Sequence, residues 1–325
     1  MVEEATGTDR GNGVAPHGAA RLMEMISGYW TTQILRATAE LSLADHVAAG
    51  VTTAEGIAGL EDSDPQATFR LLRAAASLGL FADAGEGRFR LTETGTLLRK
   101  DVPGSFRDMA VLQGSPLHWQ SWGLLPEVVR RGAAPARAAL GLAEGETEAD
   151  YLARHTGEAA HFATARSNLA DIAASAVAEV LDLGRVSVAV ELGGMGESLG
   201  PALTRRDARL IGLVSADFLH EVPAADLYLL KVILHGRDDA DCVGILANCR
   251  ASARRGARAA VVESVVGRIG EPGFGALQDV NMLAVSQGRE RDLGAFDALY
   301  AASGWRRVSV KGTGTPYVIQ ELVAV

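Results

Sequence analysis

Apolar residues recur at helical spacing over residues 19–49: Leu22, Met23, Ile26, Trp30, Ile34, Leu35, Leu41, Leu43 and Val47. The spacing predicts two helices with a break at Ser27-Gly28. The stripe is wider than one core face needs, which predicts burial against a partner as well as within the domain. Thr52-Thr53-Ala54-Glu55 is a helix start whose acid falls one residue short of a capping box. Asp64-Pro65 opens a further helix with proline in its first turn. That helix carries Phe69, Leu71, Leu72, Ala75 and Leu78 and stops at Gly79. Residues 80–83 and 88–92 alternate around Ala84-Gly85-Glu86-Gly87, the pattern of a β-hairpin. Helix, turn, helix and hairpin together predict a winged helix.

Residues 101–184 read as helices punctuated by Pro103 and Pro116 and by the turn-rich 130–135. From Val186 the texture changes. Strands are expected at 186–190, 209–214, 226–234 and 257–263, with helices between them and at 239–253 and 293–304. Two last strands, 306–310 and 317–325, are expected as an antiparallel hairpin at the sheet edge. The expected division is a disordered polar lead over 1–18, a winged helix over 19–100, helices over 101–184 and an α/β domain over 185–325.

The composition is that of an ordinary globular protein, 48% apolar and 22% charged over 325 residues. A net charge of −9 argues against nucleic acid or an anionic membrane as the main partner. The second helix of the winged helix carries only Arg70 and Arg73, which also speaks against DNA. No apolar run reaches the ~20 residues of a membrane span. The first 20 residues lack the apolar core of a signal peptide, so a cytoplasmic protein is expected. Cys242 and Cys249 fall on one face of an expected helix and read as small buried residues in a reducing compartment.

The stretch 186–200 holds the first candidate chemistry. A buried strand ends on Glu191 and opens into Gly193, Gly194 and Gly196, the way α/β domains seat a nucleotide-like cofactor. Glycines let backbone approach the ligand, and the next helix offers its N-terminal N–H groups. Met195 and Glu197 stand where a regular G-x-G-x-G run has glycine. His235 lies just past a strand end, with Glu263 ending the next strand and Glu290 preceding the next helix. A histidine flanked by carboxylates is a general-base arrangement, because the carboxylate fixes the imidazole tautomer and raises its basicity. Trp119 and Trp122, three apart on a helix, read as core packing or as an aromatic pocket wall. No histidine or cysteine pair has metal-ligand spacing, so no metal is expected.

Several motifs carry a family resemblance through nearly the whole chain. They are Gly28-Tyr29-Trp30, Arg70-Leu71-Leu72-Arg73-Ala74 with Leu78-Gly79, Asp217-Phe218 with Val222-Pro223, Tyr228-Leu229-Leu230-Lys231 with Leu234-His235, and residues 279–282 followed by Gly288-Arg289-Glu290-Arg291. In these the chain resembles the bacterial branch of the plant-type, class I S-adenosylmethionine-dependent O-methyltransferases, tailoring enzymes of aromatic natural products. The resemblance implies a doubly wound, Rossmann-like α/β sheet preceded by an all-helical winged-helix dimerisation domain. It also implies a homodimer and a small hydrophobic substrate. By the same resemblance His235 falls on the catalytic base, and Glu263 and Glu290 on its supporting acids. Asp217 and Phe218 fall beside the adenine, and Lys231 by the cofactor. Trp119, Trp122, Phe274 and Met282 are the expected pocket residues.

The departures cluster in the cofactor half. Besides Met195 and Glu197, the ribose acid expected about 20 residues past the turn is absent from Gly212-Leu213-Val214. The family fits helix, strand, helix and strand between the glycine turn and residue 226; this chain has room for one helix, one strand and a loop, which predicts a reduced sheet. An aspartate–tryptophan pair that follows the base in the family reads Gly236-Arg237 here. Three readings follow. One is methyl transfer from S-adenosylmethionine to a phenol or enol hydroxyl. The second is a repurposed member, its cofactor binding weakened or lost, that uses the acid–base set for cyclisation, decarboxylation or rearrangement. The third is an inactive partner subunit.

Overall fold

The break expected at Ser27-Gly28 separates two helices, α1 (Pro16–Ile26) and α2 (Gly28–Glu40). The computed structural model describes residues 16–132, 134–143, 145–184, 186–192, 199–206, 212–216, 222–286 and 288–325. Helix α1 takes in residues 16–18 of the expected lead, and 1–15 lie outside the described residues. The chain divides into two units, Met1–Thr96 and Leu97–Val325.

In the first unit follow α3 (Leu43–Ala48), α4 (Ala54–Glu61), α5 (Pro65–Ser77), β1 (Phe81–Asp83), β2 (Phe89–Leu91) and α6 (Glu93–Thr96). Both expected helix starts are capped. Thr53 accepts the Gly56 N–H at 3.2 Å, and Asp64 accepts the Ala67 N–H at 2.7 Å with Pro65 at the first helical position. The unit is not all-helical. β1 and β2 pair antiparallel, with Phe81 opposite Leu91, as the alternation of those residues predicts. Leu43, Ile57 and Leu72 are fully buried, whereas Leu22, Met23, Met25, Ile26, Tyr29 and Trp30 on α1 and α2 are all more than half exposed.

The second unit opens with helices α7 (Arg107–Gln113), α8 (Pro116–Gly123), α9 (Leu125–Arg131), α10 (Ala134–Ala139), α11 (Glu148–Arg154) and α12 (Thr156–Val180). Next come β3 (Val188–Leu192), α13 (Leu199–Arg206), β4 (Gly212–Ala216), β5 (Ala225–Lys231), α14 (Asp239–Ser252) and β6 (Ala253–Ser264). The chain closes with α15 (Phe274–Val285), α16 (Leu293–Ala302), β7 (Trp305–Gly312) and β8 (Tyr317–Ala324). The sheet order is β4-β3-β5-β6-β8-β7. β4, β3, β5 and β6 run parallel, and β8 is antiparallel to both neighbours. The last hairpin therefore enters the sheet: β8 sits between β6 and β7, and β7 forms the edge. At the other edge, β4 connects to β5 through residues 217–224 alone.

β5 shows why the sheet is buried on both faces. Leu227 and Leu229 point to a core with Val177 of α12, Leu181 just past its end, and Leu199 and Leu203 of α13. Tyr228 and Leu230 point the other way, to Cys242 and Leu246 of α14, Phe296 and Tyr300 of α16, and Trp305. Cys242 and Cys249 are both buried and unpaired there, as expected. Trp305 is fully buried, meets the Tyr228 ring edge-on at 6.4 Å and donates its Nε1–H to the Leu246 carbonyl at 2.9 Å. Trp305→Ala opens a cavity and removes that bond, which is expected to cost about 3–5 kcal/mol. Urea unfolding followed by circular dichroism measures it, and a loss below about 1 kcal/mol would contradict this account of the core.

Candidate active site

The site begins where β5 leaves the sheet. Val232, the residue after Lys231, has φ +56°, a left-handed conformation that a β-branched residue rarely adopts. Its N–H still reaches the Val262 carbonyl at 2.9 Å, and the chain then turns away through a single 3₁₀ turn, Leu234–Gly236. Glu263, 1% exposed near the end of β6, holds that turn. Its Oε1 accepts the N–H groups of Ile233 and Leu234 at 2.8 and 2.6 Å, and its Oε2 lies 3.2 Å from His235 Nδ1. With Nδ1–H donating to a carboxylate, the Nε2 lone pair is left to take a proton.

The far side of the turn is tied as well. Arg291, 2% exposed, donates Nη1–H to the Leu234 carbonyl at 2.7 Å and Nη2–H to the Arg237 carbonyl at 2.8 Å. Asp239 Oδ1 accepts from Nε and Nη2 of the same guanidinium at 3.1 and 2.8 Å. The Arg289 N–H donates to the His235 carbonyl at 2.8 Å. Gly288 makes this approach possible: a Cβ there would stand 2.5 Å from the His235 carbonyl oxygen and 2.5 Å from Met282 Cε.

Glu290 is 8% exposed, and its Oε2 is buried with no hydrogen-bond partner. Its own N–H is held by Asp279 Oδ1 at 2.9 Å. Burial and the neighbouring Glu263 charge push its carboxyl up to about 7, against the pull of His235. For His235, burial works against the imidazolium, but the Glu263 hydrogen bond and the charges of Glu263 and Glu290 outweigh it, so its pKa is raised. The three residues expected from sequence are thus electrostatically one group.

The cofactor half is described in part. Glu191, buried near the end of β3, accepts the Gly200 N–H of α13 at 3.2 Å. Lys231 is buried on the neighbouring strand, where Leu192 pairs with Leu230. Burial lowers the Lys231 pKa, and the charges of Glu191 and Asp171 oppose that. A Cβ on Gly236 would meet nothing within 4 Å among the described residues. Gly193, Gly194, Met195, Gly196, Glu197, Asp217 and Phe218 lie outside the described residues.

Of the expected pocket residues, Met282 is buried against Gly288 and Trp122 donates Nε1–H to Asn281 Oδ1 at 3.0 Å. Trp119 and Phe274 stand 45% and 53% exposed. Sequence reasoning missed the structural parts of the site: Val232, Gly288, Asp239, Asp279 and Arg291. The run Gly288-Arg289-Glu290-Arg291 was the available signal for two of them. Among the described residues, no cluster of three His, Cys, Asp or Glu side chains could hold a metal, and no helix is long and apolar enough to cross a membrane.

Comparison with known proteins gives the family. Residues 199–306 match the O-methyltransferase domain, and residues 23–101 match the O-methyltransferase dimerisation domain. The chain is 31% identical to phenazine O-methyltransferase PhzM of Lysobacter antibioticus, covering 92% of this chain and 94% of that protein. It is 31% identical to O-demethylpuromycin-O-methyltransferase of Streptomyces alboniger, covering 94% and 89%. Among solved structures, CalO1, a methyltransferase in calicheamicin biosynthesis in its SAH-bound form, superposes with a TM-score of 0.85 at 26% identity, covering 97% of this chain and 100% of that one.

The raised Glu290 pKa makes stability depend on pH. Between its ordinary 4.5 and about 7 the folded chain binds more protons at Glu290 than the unfolded chain does. Its contribution is therefore full below about 4.5 and is lost as pH rises through about 7. Glu290→Gln removes that loss, so the variant should gain stability on wild type as pH rises from 5 to 8. Parallel urea-midpoint curves across that range would refute it.

Proposed function

The chain belongs to the O-methyltransferase family, and from that premise we propose that it transfers the methyl group of S-adenosylmethionine to a phenol or enol hydroxyl of a small, flat natural-product intermediate. One observation carries the mechanism: Glu263 divides its oxygens between the turn and His235 Nδ1, which leaves Nε2 as the base. His235 Nε2 takes the hydroxyl proton, and Glu263 stabilises the imidazolium that results. Glu290, buried and half-protonated near neutrality, sits beside that imidazolium as a second acid–base group. Met282, with Trp119, Trp122 and Phe274, walls the aromatic substrate. When bound, S-adenosylmethionine supplies an electrophilic methyl on a cationic sulfur, and positioning does much of the rest.

The described residues fit such a cofactor at one end. Glu191 and Lys231 offer a carboxylate and an ammonium at adjacent strand ends, and a Cβ on Gly236 would meet nothing within 4 Å among the described residues. In the sequence, Asp217 directly follows Ala216, the last residue of β4, and we keep it with Phe218 beside the adenine. A sheet shortened as the sequence predicts leaves fewer walls around the adenosine, and on that reading the cofactor is expected to bind weakly. The apolar face of α1 and α2 fits a homodimer formed through the first unit. The two unpaired cysteines fit a reducing cytoplasm.

Two measurements test this reading. Isothermal titration with S-adenosylmethionine should give a dissociation constant in the micromolar to submillimolar range, about −8 to −5 kcal/mol. No binding at millimolar cofactor would sink methyl transfer and favour a repurposed acid–base enzyme. Glu263→Gln keeps an oxygen for the turn amides but presents an N–H to His235 Nδ1, which forces the imidazole proton onto Nε2. Turnover should fall about 10²–10⁴-fold with cofactor affinity unchanged. Near-normal turnover in that variant would remove His235 as the base.

A further inference from the structure

The register of β6 sets a second group of polar side chains beside the base. Glu263 and Ser264 are successive residues of that strand and point to opposite faces of the sheet. Glu263 faces α14, where it holds the turn and His235. Ser264 shares the α12 face with Val262, and Tyr317, its partner on β8, packs on that face. Past Val232 the edge of β6 that β5 has left is taken by residues 290–291. Val265 bridges Arg291 in parallel, and the Val266 N–H donates to the Arg291 carbonyl at 3.0 Å. Val265 packs into the core of α14 and α16, and the Arg291 guanidinium reaches Asp239 at the start of α14. By alternation, the residues before them, Ser264 and Glu290, turn together to the α12 face. Lys231 lies on that face too, paired with Val262, about 6.6 Å along the strand from the level of Ser264.

Three oxygens of this group have no hydrogen-bond partner among the described residues. Ser264 is 2% exposed with an orphan Oγ, and buried Glu290 has an orphan Oε2. Tyr317 is partly buried, and its bonds to Thr313 and Thr315 use its backbone and not its phenol oxygen. Burial and the charges of Glu263 and Glu290 push the phenol up to about 12, so it stays an O–H donor. A buried hydroxyl without a partner is unfavourable, and a bound acceptor relieves it. We propose that Ser264 and Tyr317, with protonated Glu290 beside them, bind a carbonyl oxygen on the aromatic ring system whose hydroxyl faces His235. The substrate class is then a hydroxylated aromatic ketone or quinone. A neutral carbonyl accepts from these O–H groups without bringing charge, whereas a carboxylate would lie against Glu263 and Glu290. The inference rests on the assignment of His235 as the base of the proposed function.

Equilibrium dialysis with 4-acetyl-2-naphthol and 4-ethyl-2-naphthol tests it, since the two differ only by a carbonyl in place of a methylene. A merely apolar pocket would favour the ethyl probe. Wild type should instead bind the acetyl probe about fivefold or more tighter. Tyr317→Phe and Ser264→Ala should each lower that preference about threefold, and the double variant should abolish it, with binding of the ethyl probe unchanged. Each substitution removes a single oxygen, so the variants are expected to fold, which far-ultraviolet circular dichroism checks. Equal or weaker binding of the acetyl probe by wild type, no measurable binding of it at millimolar concentration, or an undiminished preference in the double variant would overturn the proposal. The readout is binding alone, so a failure of methyl transfer, seen in the cofactor titration, is distinguishable from a failure here.

Discussion

One buried carboxylate joins the end of β5 to the end of β6, and the acid–base geometry depends on it. Glu263 accepts two backbone N–H groups of the turn with one oxygen and holds the His235 imidazole with the other. Hydrogen bonds to a charged acceptor contribute about 1.5–3 kcal/mol each. Val232 in a left-handed conformation costs about 1–3 kcal/mol. The two amide bonds thus suffice to hold the strained residue, and the strain is what aims the turn. Without the early exit at Val232, the β5 backbone would continue its alternation, and His235 would have no fixed relation to Glu263.

Charge balance around that carboxylate explains the rest of the cluster. Glu263, Glu290 and Asp279 bring three acids to one buried region, and Arg291 is the buried cation near them. Arg291 is already committed to Asp239 and to two carbonyls of the turn, so it fixes geometry more than it neutralises acid. Burial and then the Glu263 charge raise the Glu290 pKa, while at His235 the carboxylates outweigh burial and raise the imidazole pKa. Protons therefore gather at the two groups that face the site, which is where a proton-accepting reaction needs exchangeable capacity.

Much of the fold was legible in the sequence because its signals are local. The helix break at Ser27-Gly28, the Asp64-Pro65 start and the hairpin around Gly85 each rest on one turn of backbone chemistry. The candidate base and its two acids were legible because strand ends on one side of a parallel sheet meet in space. The insertion of β8 between β6 and β7 was not legible, since alternation says nothing about which strand a neighbour chooses. Nor was the Arg291 clamp, whose partners lie more than fifty residues away in sequence. Nothing local in the sequence marks Gly288 as a packing glycine; only the packed structure shows the His235 carbonyl occupying the place of its Cβ. The glycine turn of 193–196 remains an expectation from sequence.

The two halves of the site rest on different parts of the sheet. His235 is held by β6, by the start of α14 through Asp239 and Arg291, and by the segment between α15 and α16. None of those supports comes from β4. Glu191 instead lies on β3, whose other neighbour is β4, the edge strand. Among the described residues, the hydrogen bonds that hold the turn come from β6, from Arg291 and from the backbone of Arg289. A change at the β4 edge can therefore leave His235 where it is, and the two ends of the candidate site are mechanically separable.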